Sequence, residues 1–289
     1  MYQLFTDTDT DITPREAEKY GYKLMSMPYI IGEVETYPYV DFDEFDYKSF
    51  YDTLRGGVIP STCAFSPEQY KEYLEPSLKE GRDIIYVHFS AAMSGTFNAL
   101  NLAWRELSEK YPERKLHLVD TKFISVGSLC IVRHIGEMAL RGASTDEILE
   151  WAAKEVDKFA VYFFSEDLKF FARSGRVSNL AAFMGSLIGI RPIISVGEDG
   201  KMGSVGKAKG RRGAMRKLLD YIETLGDDIK SYPVIIGHTD NLPLAEELKG
   251  ELIAKYGEDL ECDIVPVNPT IGSHCGPDTV GVCFHAIHR

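Results

Sequence analysis

Short apolar runs alternate with helix-length amphipathic segments along this chain, and that alternation limits its fold more than any other feature. The runs are Leu24 to Ile31, Ile84 to Phe89, Leu116 to Val119, Val161 to Phe164, Pro192 to Val196, Val234 to Gly237 and Ile264 to Val267. A sequence that switches period in this way must bury strands beneath helices, which is the α/β plan. Helix starts are written between the runs. Thr13-Pro14-Arg15-Glu16 is a capping box with Pro at the first helical position and Gly21 as its stop, and Ser66-Pro67-Glu68-Gln69 and Ser144-Thr145-Asp146-Glu147 repeat the device. The helix from about Ser144 to Lys158 closes a first α/β unit, and the remainder carries strands and helices of its own. The boundary therefore falls near residues 155–160, and because no linker is visible there a fixed cleft is expected between the two. Ligand sites favour such clefts.

Composition narrows the function. At 289 residues the chain buries a sizeable core without staples. A net charge of -12 repels a phosphate backbone and argues against wholesale nucleic-acid binding. The five cysteines (Cys63, Cys130, Cys262, Cys275, Cys283) are an odd set without a C-x-x-C pair, which fits a reducing compartment better than a disulfide framework. No stretch approaches the roughly 18 to 20 apolar residues of a membrane span, and "MYQLFTDTDT" has no basic and apolar leader. A cytoplasmic location is expected.

Two hydroxyl-rich turns lead into helices. In "DIIYVHFSAAMSGTFNALNLAWREL", Asp83 to Leu107, a strand passes through a Ser/Gly turn into a long helix from about Ser94. Free N–H groups at that helix start, with the hydroxyls of Ser90, Ser94 and Thr96, suit an anion. An ordinary serine cap is the plainer reading. "PSTCAFSPEQY", Pro60 to Tyr70, repeats the pattern, and Ser61, Thr62 and Ser66 can face the same cleft. A third segment, "NPTIGSHCGPDTVG", Asn268 to Gly281, sets three glycines and two prolines around His274, which reads as a shaped loop.

Several other stretches carry two readings each. His274, Cys275, Cys283, His285 and His288 crowd into fifteen residues, yet their spacing is not that of a zinc finger or ribbon, and Cys283 and His285 fit one face of a terminal strand. Between Leu180 and Ile190, small residues alternate with Phe183, Met184, Leu187 and Ile188 without a charge. That stripe is a core helix or, with small residues leaving room and Met adapting, the wall of an apolar pocket. Arg173 and Arg176 stand just ahead of it. Lys201 to Lys217 holds seven basic residues and no acidic one, including Arg211 and Arg212. It is a solvated hairpin leading into a helix, or a docking patch for an acidic partner or phosphorylated ligand.

The opening "TDTDTDIT", Thr6 to Thr13, sets Asp7, Asp9 and Asp11 at alternate positions after a short apolar run. A haloacid-dehalogenase-type phosphatase would use Asp7 and Asp9 with magnesium, but Asp11 stands at the fifth position of that motif and a capped helix follows two residues later. The later acidic pair Asp227-Asp228 lies between a helix and a strand rather than after a strand. The aspartates are therefore expected to end the first strand and to support neighbouring loops at the cleft mouth. No Gly-rich phosphate loop of Walker type is present, which argues against an autonomous kinase.

Taken in order, these pieces resemble the DegV family of fatty-acid-binding proteins over nearly the whole chain. The residues that carry the likeness are Asp7-Thr8-Asp9-Thr10-Asp11, Ser61-Thr62, "SAAMSGTFNA", "VDTKFISVG" (Val119 to Gly127), "SGRVS" (Ser174 to Ser178), "GIRPII" and "IGSHCGP". The resemblance implies two α/β domains, 1–157 and 158–289: an N-terminal three-layer domain with a mainly parallel sheet, and a C-terminal domain with a mixed sheet covered by helices. A long-chain fatty acid lies between them, its carboxylate on the first and its acyl chain in the second. It also implies a non-catalytic subunit that presents the acid to a separate fatty acid kinase, which makes acyl phosphate for phospholipid synthesis. No metal or cofactor is implied, and beyond the acid and the kinase only transient contact with a membrane surface.

By position, Thr62 and Ser94 are the implied carboxylate-binding hydroxyls, assisted by Gly95 and Thr96, while Arg173 and His274 are implied near the head group when it is phosphorylated. Phe183, Met184, Leu187 and Ile188 fit the acyl pocket, and Arg211 and Arg212 the docking patch. The sequence departs from the family pattern at "TCAFS", at "RSGR" and at Asp278. Physical chemistry agrees with the implied ligand. Burying about fourteen methylenes at roughly 0.8 kcal/mol each favours binding by on the order of 11 kcal/mol before association costs, and a buried carboxylate needs hydroxyl and N–H donors.

Overall fold

The computed structural model describes residues 1–180 and 189–289. Its strands before residue 121 are β1 (Tyr2–Asp7), β2 (Tyr22–Met25), β3 (Tyr29–Ile31), β4 (Val34–Thr36), β5 (Ser61–Thr62), β6 (Asp83–His88) and β7 (Leu116–Asp120). Those after residue 158 are β8 (Phe159–Ser165), β9 (Val177–Ser178), β10 (Ile190–Val196), β11 (Met202–Lys209), β12 (Val234–His238), β13 (Cys262–Pro266) and β14 (Thr279–His285). The first group forms an all-parallel sheet in the order β2-β1-β6-β7 and a small antiparallel sheet β4-β3-β5. The second forms one mixed sheet, β13-β12-β14-β8-β10-β11-β9. The fold is thus two α/β units, one parallel and one mixed.

The helices are α1 (Pro14–Tyr20), α2 (Tyr47–Arg55), α3 (Pro67–Lys79), α4 (Thr96–Lys110), α5 (Val126–Leu140), α6 (Thr145–Glu155), α7 (Lys169–Ser174), α8 (Gly210–Leu225), α9 (Leu242–Tyr256) and α10 (Pro269–Cys275). All three expected capping boxes are present, at Thr13, Ser66 and Ser144, and Gly21 ends α1 in the left-handed region at φ 74°. The apolar run Leu24 to Ile31 is not one strand. Pro28 has no N–H to give a ladder, and the Met27 N–H turns instead to the Thr8 hydroxyl at 2.9 Å, so the chain passes from β2 in the large sheet to β3 in the small one.

Alternation along β8 shows how the layers stack. Ala160, Tyr162 and Phe164 pack with Leu218 and Ile222 of α8 and Leu244 and Leu248 of α9, while Phe159 and Val161 join the core around α5. The parallel sheet is layered the same way, with Phe5, Ile84 and Tyr86 under α3 and α4, and Leu4, Ile85 and Val87 toward α5. Helix α5 is buried continuously from Val126 to Val132 because it lies between the two sheets. That position needs close approach. A Cβ at Gly127 would sit 2.7 Å from Val161 Cγ2, and one at Gly136 would sit 2.5 Å from the Tyr20 ring. One core therefore spans both sheets, and a shared core of this kind fixes the cleft beside it.

Candidate functional site

Strands β1 and β6 end at Asp7 and His88, and the segments that follow them border a crevice at the carboxyl edge of the parallel sheet. Open α/β sheets place ligand sites at this edge. A chamber here is lined by Asp9, Thr62, Ser94, Thr96, Arg176 and His274 on its polar side, and by Met27, Phe89 and Met93 elsewhere. Residues far apart in the chain reach it for local reasons. Pairing of Tyr29 with Thr62 holds β5 against β3. His274 is carried on α10, a short helix where the glycines and prolines had suggested a loop. Its start signal is Asn268, whose side chain accepts the N–H groups of Thr270 at 2.9 Å and Ile271 at 3.1 Å, with Pro269 in the first turn.

Thr62 Oγ1 and His274 Nε2 stand 2.9 Å apart, which joins β5 to α10 across the chamber. Burial, and then the charge of Arg176, lower the His274 imidazole to about 4, so it is neutral at physiological pH. Ser94 Oγ accepts the Thr96 N–H at 3.2 Å, and α4 starts at Thr96 with Gly95 as its cap, two residues later than expected. The Thr96 hydroxyl is occupied, taking the Phe65 N–H at 3.2 Å and bonding Tyr70 Oη at 2.8 Å. Ser90 is turned away from this group. Its hydroxyl donates to Gly200 O at 2.7 Å, tying the first unit to the β10–β11 turn. Ser66 caps α3, and Ser61 lines an outer recess instead.

That recess is lined by Arg173, Ser61 and Ser273, and it shares Thr62, Arg176 and His274 with the chamber. Arg173 thus borders the outer side, while Arg176 borders both. Inward, a second chamber is lined by Val126, Val161, Phe163, Val196 and Val267, among others. It shares Ile124, Met202, Ile271 and Cys275 with the polar chamber, so the two adjoin. Phe183, Met184, Leu187 and Ile188 lie outside the described residues. Arg211 and Arg212 are exposed in the first turn of α8, away from these chambers, and Arg211 Nε bonds Glu166 Oε1 at 3.1 Å.

The alternating aspartates end β1 and enter a 3-10 turn, all of them buried. Asp7 accepts the Asp9 N–H at 3.1 Å and the Tyr86 hydroxyl at 2.8 Å. Burial outweighs these bonds and raises its carboxyl to about 7. A buried carboxyl with both oxygens engaged is a poor phosphatase nucleophile. Asp11 accepts the backbone N–H of Asn268 at 2.9 Å, its side-chain amide at 2.7 Å and the Ser125 hydroxyl, and burial raises it to about 6. It therefore fixes the cap of α10. Among the described residues, no cluster of three or more His, Cys, Asp or Glu is placed to hold a metal ion, and no helix is long and apolar enough to cross a membrane.

The sequence leads one to expect of Asp9 only support for loops at the cleft mouth, gives Arg176 no role, and does not single out the strand residues of the inner chamber as a pocket wall. Asp9 looked like part of a turn, and Val161 or Phe163 carries no mark that separates a pocket wall from a core.

A family model described as an uncharacterised protein of the DegV family matches residues 1–286. The chain belongs to the DegV family. A DegV domain-containing protein of Clostridium perfringens is 32% identical over 284 residues, covering 98% of this chain and 97% of its own. A DegV protein of Thermus thermophilus, solved as a fatty-acid-binding protein, superposes with a TM-score of 0.86 at 23% identity, covering 99% of each chain. One from Eubacterium eligens, loaded with heptadecanoic acid, superposes with a TM-score of 0.82 at 20% identity over 99% of this chain and 100% of its own.

Proposed function

We propose that this DegV protein binds a long-chain fatty acid and presents it to a separate fatty acid kinase. The carboxyl group occupies the polar chamber at Thr62, Ser94 and the Gly95–Thr96 helix start, and the acyl chain enters the apolar chamber and the region of Phe183, Met184, Leu187 and Ile188. Arg173 and His274 serve the head group from the recess when it is phosphorylated. The domains divide at 157/158, the protein acts in the cytoplasm without catalysing phosphoryl transfer itself, and the acyl phosphate feeds phospholipid synthesis.

The observation that carries this reading is that a hydroxyl-lined chamber adjoins an apolar one, with Ile124, Met202, Ile271 and Cys275 lining both. An amphiphile with one polar end matches that sequence of surfaces, since a buried carboxylate needs donors and a hydrocarbon tail needs none. The fatty acids named for the Thermus thermophilus and Eubacterium eligens proteins support the choice of ligand. The exposed Arg211 and Arg212 support docking of an acidic partner surface, although Glu166 already engages Arg211.

The direct test is mass spectrometry of lipid extracted from the purified protein, followed by loading with fatty acid. Stoichiometric acid, or uptake to one per chain, is expected. Recovery of none with no uptake would end the proposal. Charge reversal at Arg211 and Arg212 is expected to slow kinase turnover more than it weakens acid binding, and the reverse ranking would remove the docking patch.

A further inference from the structure

The three aspartates of the β1 turn look alike in the sequence but not in their bonding. Asp7 and Asp11 have both carboxyl oxygens engaged, by Asp9 N–H and Tyr86 in one case and by Asn268 and Ser125 in the other. Asp9 is also buried, 6% exposed, yet its Oδ1 has no hydrogen-bond partner among the described residues, and the residue lines the polar chamber with Thr62, Ser94 and His274. An unpaired buried carboxyl oxygen is costly, and a native structure that keeps one usually has a use for it. The turn holds it there. The Asp9 N–H donates to Asp7 Oδ1 at 3.1 Å, and its carbonyl accepts the Ser125 N–H at 2.7 Å, so the backbone is pinned on both sides.

The geometry points to Asp9 as a ligand-contacting residue that shares a proton with the bound carboxylate, so that binding of the acid is linked to that proton. This rests on the fatty-acid reading above. The groups that face Asp9 agree. Asp7 and Asp11 flank it in its own turn, and Tyr86 of β6 and Tyr70 of α3 are phenols whose own ionisation is opposed by it. Across the chamber stand neutral His274, the thiols of Cys63 and Cys275, and the guanidinium of Arg176. Burial, then the charges of Asp7 and Asp11, push the Asp9 carboxyl well above the usual carboxylate range. Two carboxylates in one chamber repel, whereas a carboxylic acid beside a carboxylate forms a short charge-assisted bond in which one proton lies between two oxygens. While Asp9 keeps its proton in the empty protein, the anion binds with no net exchange. Once rising pH removes that proton, each binding event must take one up.

The test titrates dodecanoate and dodecan-1-ol into the full chain, and into Asp9→Asn and Asp9→Ala, between pH 6 and pH 10. Wild-type affinity for dodecanoate is expected to fall with pH, approaching the limit of about tenfold per pH unit for uptake of one proton, while affinity for the alcohol stays level. Asp9→Asn, which keeps a donor but cannot titrate, should hold its dodecanoate affinity level with pH, and Asp9→Ala, which has neither donor nor titration, should also be level but bind more weakly than Asp9→Asn. A level wild-type dodecanoate profile, the same slope in Asp9→Asn, or a parallel fall for the alcohol would each overturn the assignment. The first and last need no variant to fold. Failure of the wild type to bind either probe at any pH would instead remove the fatty-acid reading itself, and this one with it.

Discussion

The polar and apolar chambers touch at four residues, yet they are built by opposite means. The polar one is assembled from turns and short elements distant in the chain: Asp9 after β1, Thr62 in β5, Ser94 before α4 and His274 on α10. Each of those elements is held by directional bonds, such as Thr62 to His274 and Asp11 to Asn268. The apolar one draws on regular structure, with Val161 and Phe163 from β8 and Val196 from β10 facing the start of α5 at Val126. Directional bonds select and orient a head group, whereas apolar area supplies free energy without direction. Under the proposed function, that difference would give specificity to one chamber and affinity to the other.

The largest effect should come from the apolar side. Removing about eight methylenes from the acid, at roughly 0.8 kcal/mol each, should weaken binding by on the order of 6 kcal/mol, or about four powers of ten. A calorimetric or fluorescence-displacement series of saturated acids measures this. A change of less than about tenfold across the series would break the assignment of affinity to the apolar chamber.

The next effect lies at the seam that holds the polar chamber together. Asp11 carries a raised carboxyl, from 3.8 to about 6, so the folded state holds its proton more tightly than the unfolded state does. The sign follows from linkage. The stabilisation this proton provides is complete below the unfolded value and is lost as pH rises through the folded one, on the order of 3 kcal/mol over that window. Asp11→Asn keeps an acceptor for Asn268 and cannot titrate. Its stability relative to wild type should therefore improve between about pH 4 and pH 6, as read from denaturant midpoints. A constant difference across that range would show that Asp11 does not carry this strain.

How much of this could be read from the chain depends on how local the cause is. The capping boxes at Thr13, Ser66 and Ser144 were legible because signal and partner lie three residues apart. Pro28 also stood in plain view, and so did Asn268-Pro269 as a helix start, but glycine and proline density around His274 outweighed it. Asp11 and Asn268 are 257 residues apart, so nothing local announces their bond. Ser90 likewise reads as a site hydroxyl until Gly200 takes it. Two hydroxyl-rich turns before helices pointed Thr62, Ser94 and Thr96 to one cleft, whereas their individual roles and the addition of His274 came through family resemblance, since no period or spacing links them. The structure brings them to one chamber, while the unpartnered oxygen of Asp9 became visible only there.

The smallest of these effects addresses the specificity side directly. Ser94→Ala removes one hydroxyl from the polar chamber, and a bond to a charged group is worth about 1.5 to 3 kcal/mol. The lower end applies here, because Ser94 Oγ already accepts the Thr96 N–H at 3.2 Å and its removal frees that donor to face the carboxylate. About a tenfold loss of affinity for the acid is expected, with far-ultraviolet dichroism unchanged. Thr62→Val removes the hydroxyl that meets His274 at 2.9 Å and should act in the same direction. The methyl ester of the same acid separates orientation from affinity: it keeps the tail and lacks the anion, so both variants should bind it as wild type does. Equal losses for acid and ester would mean that these hydroxyls shape the cavity and do not read the carboxylate, and the division between the two chambers would fail on its polar side.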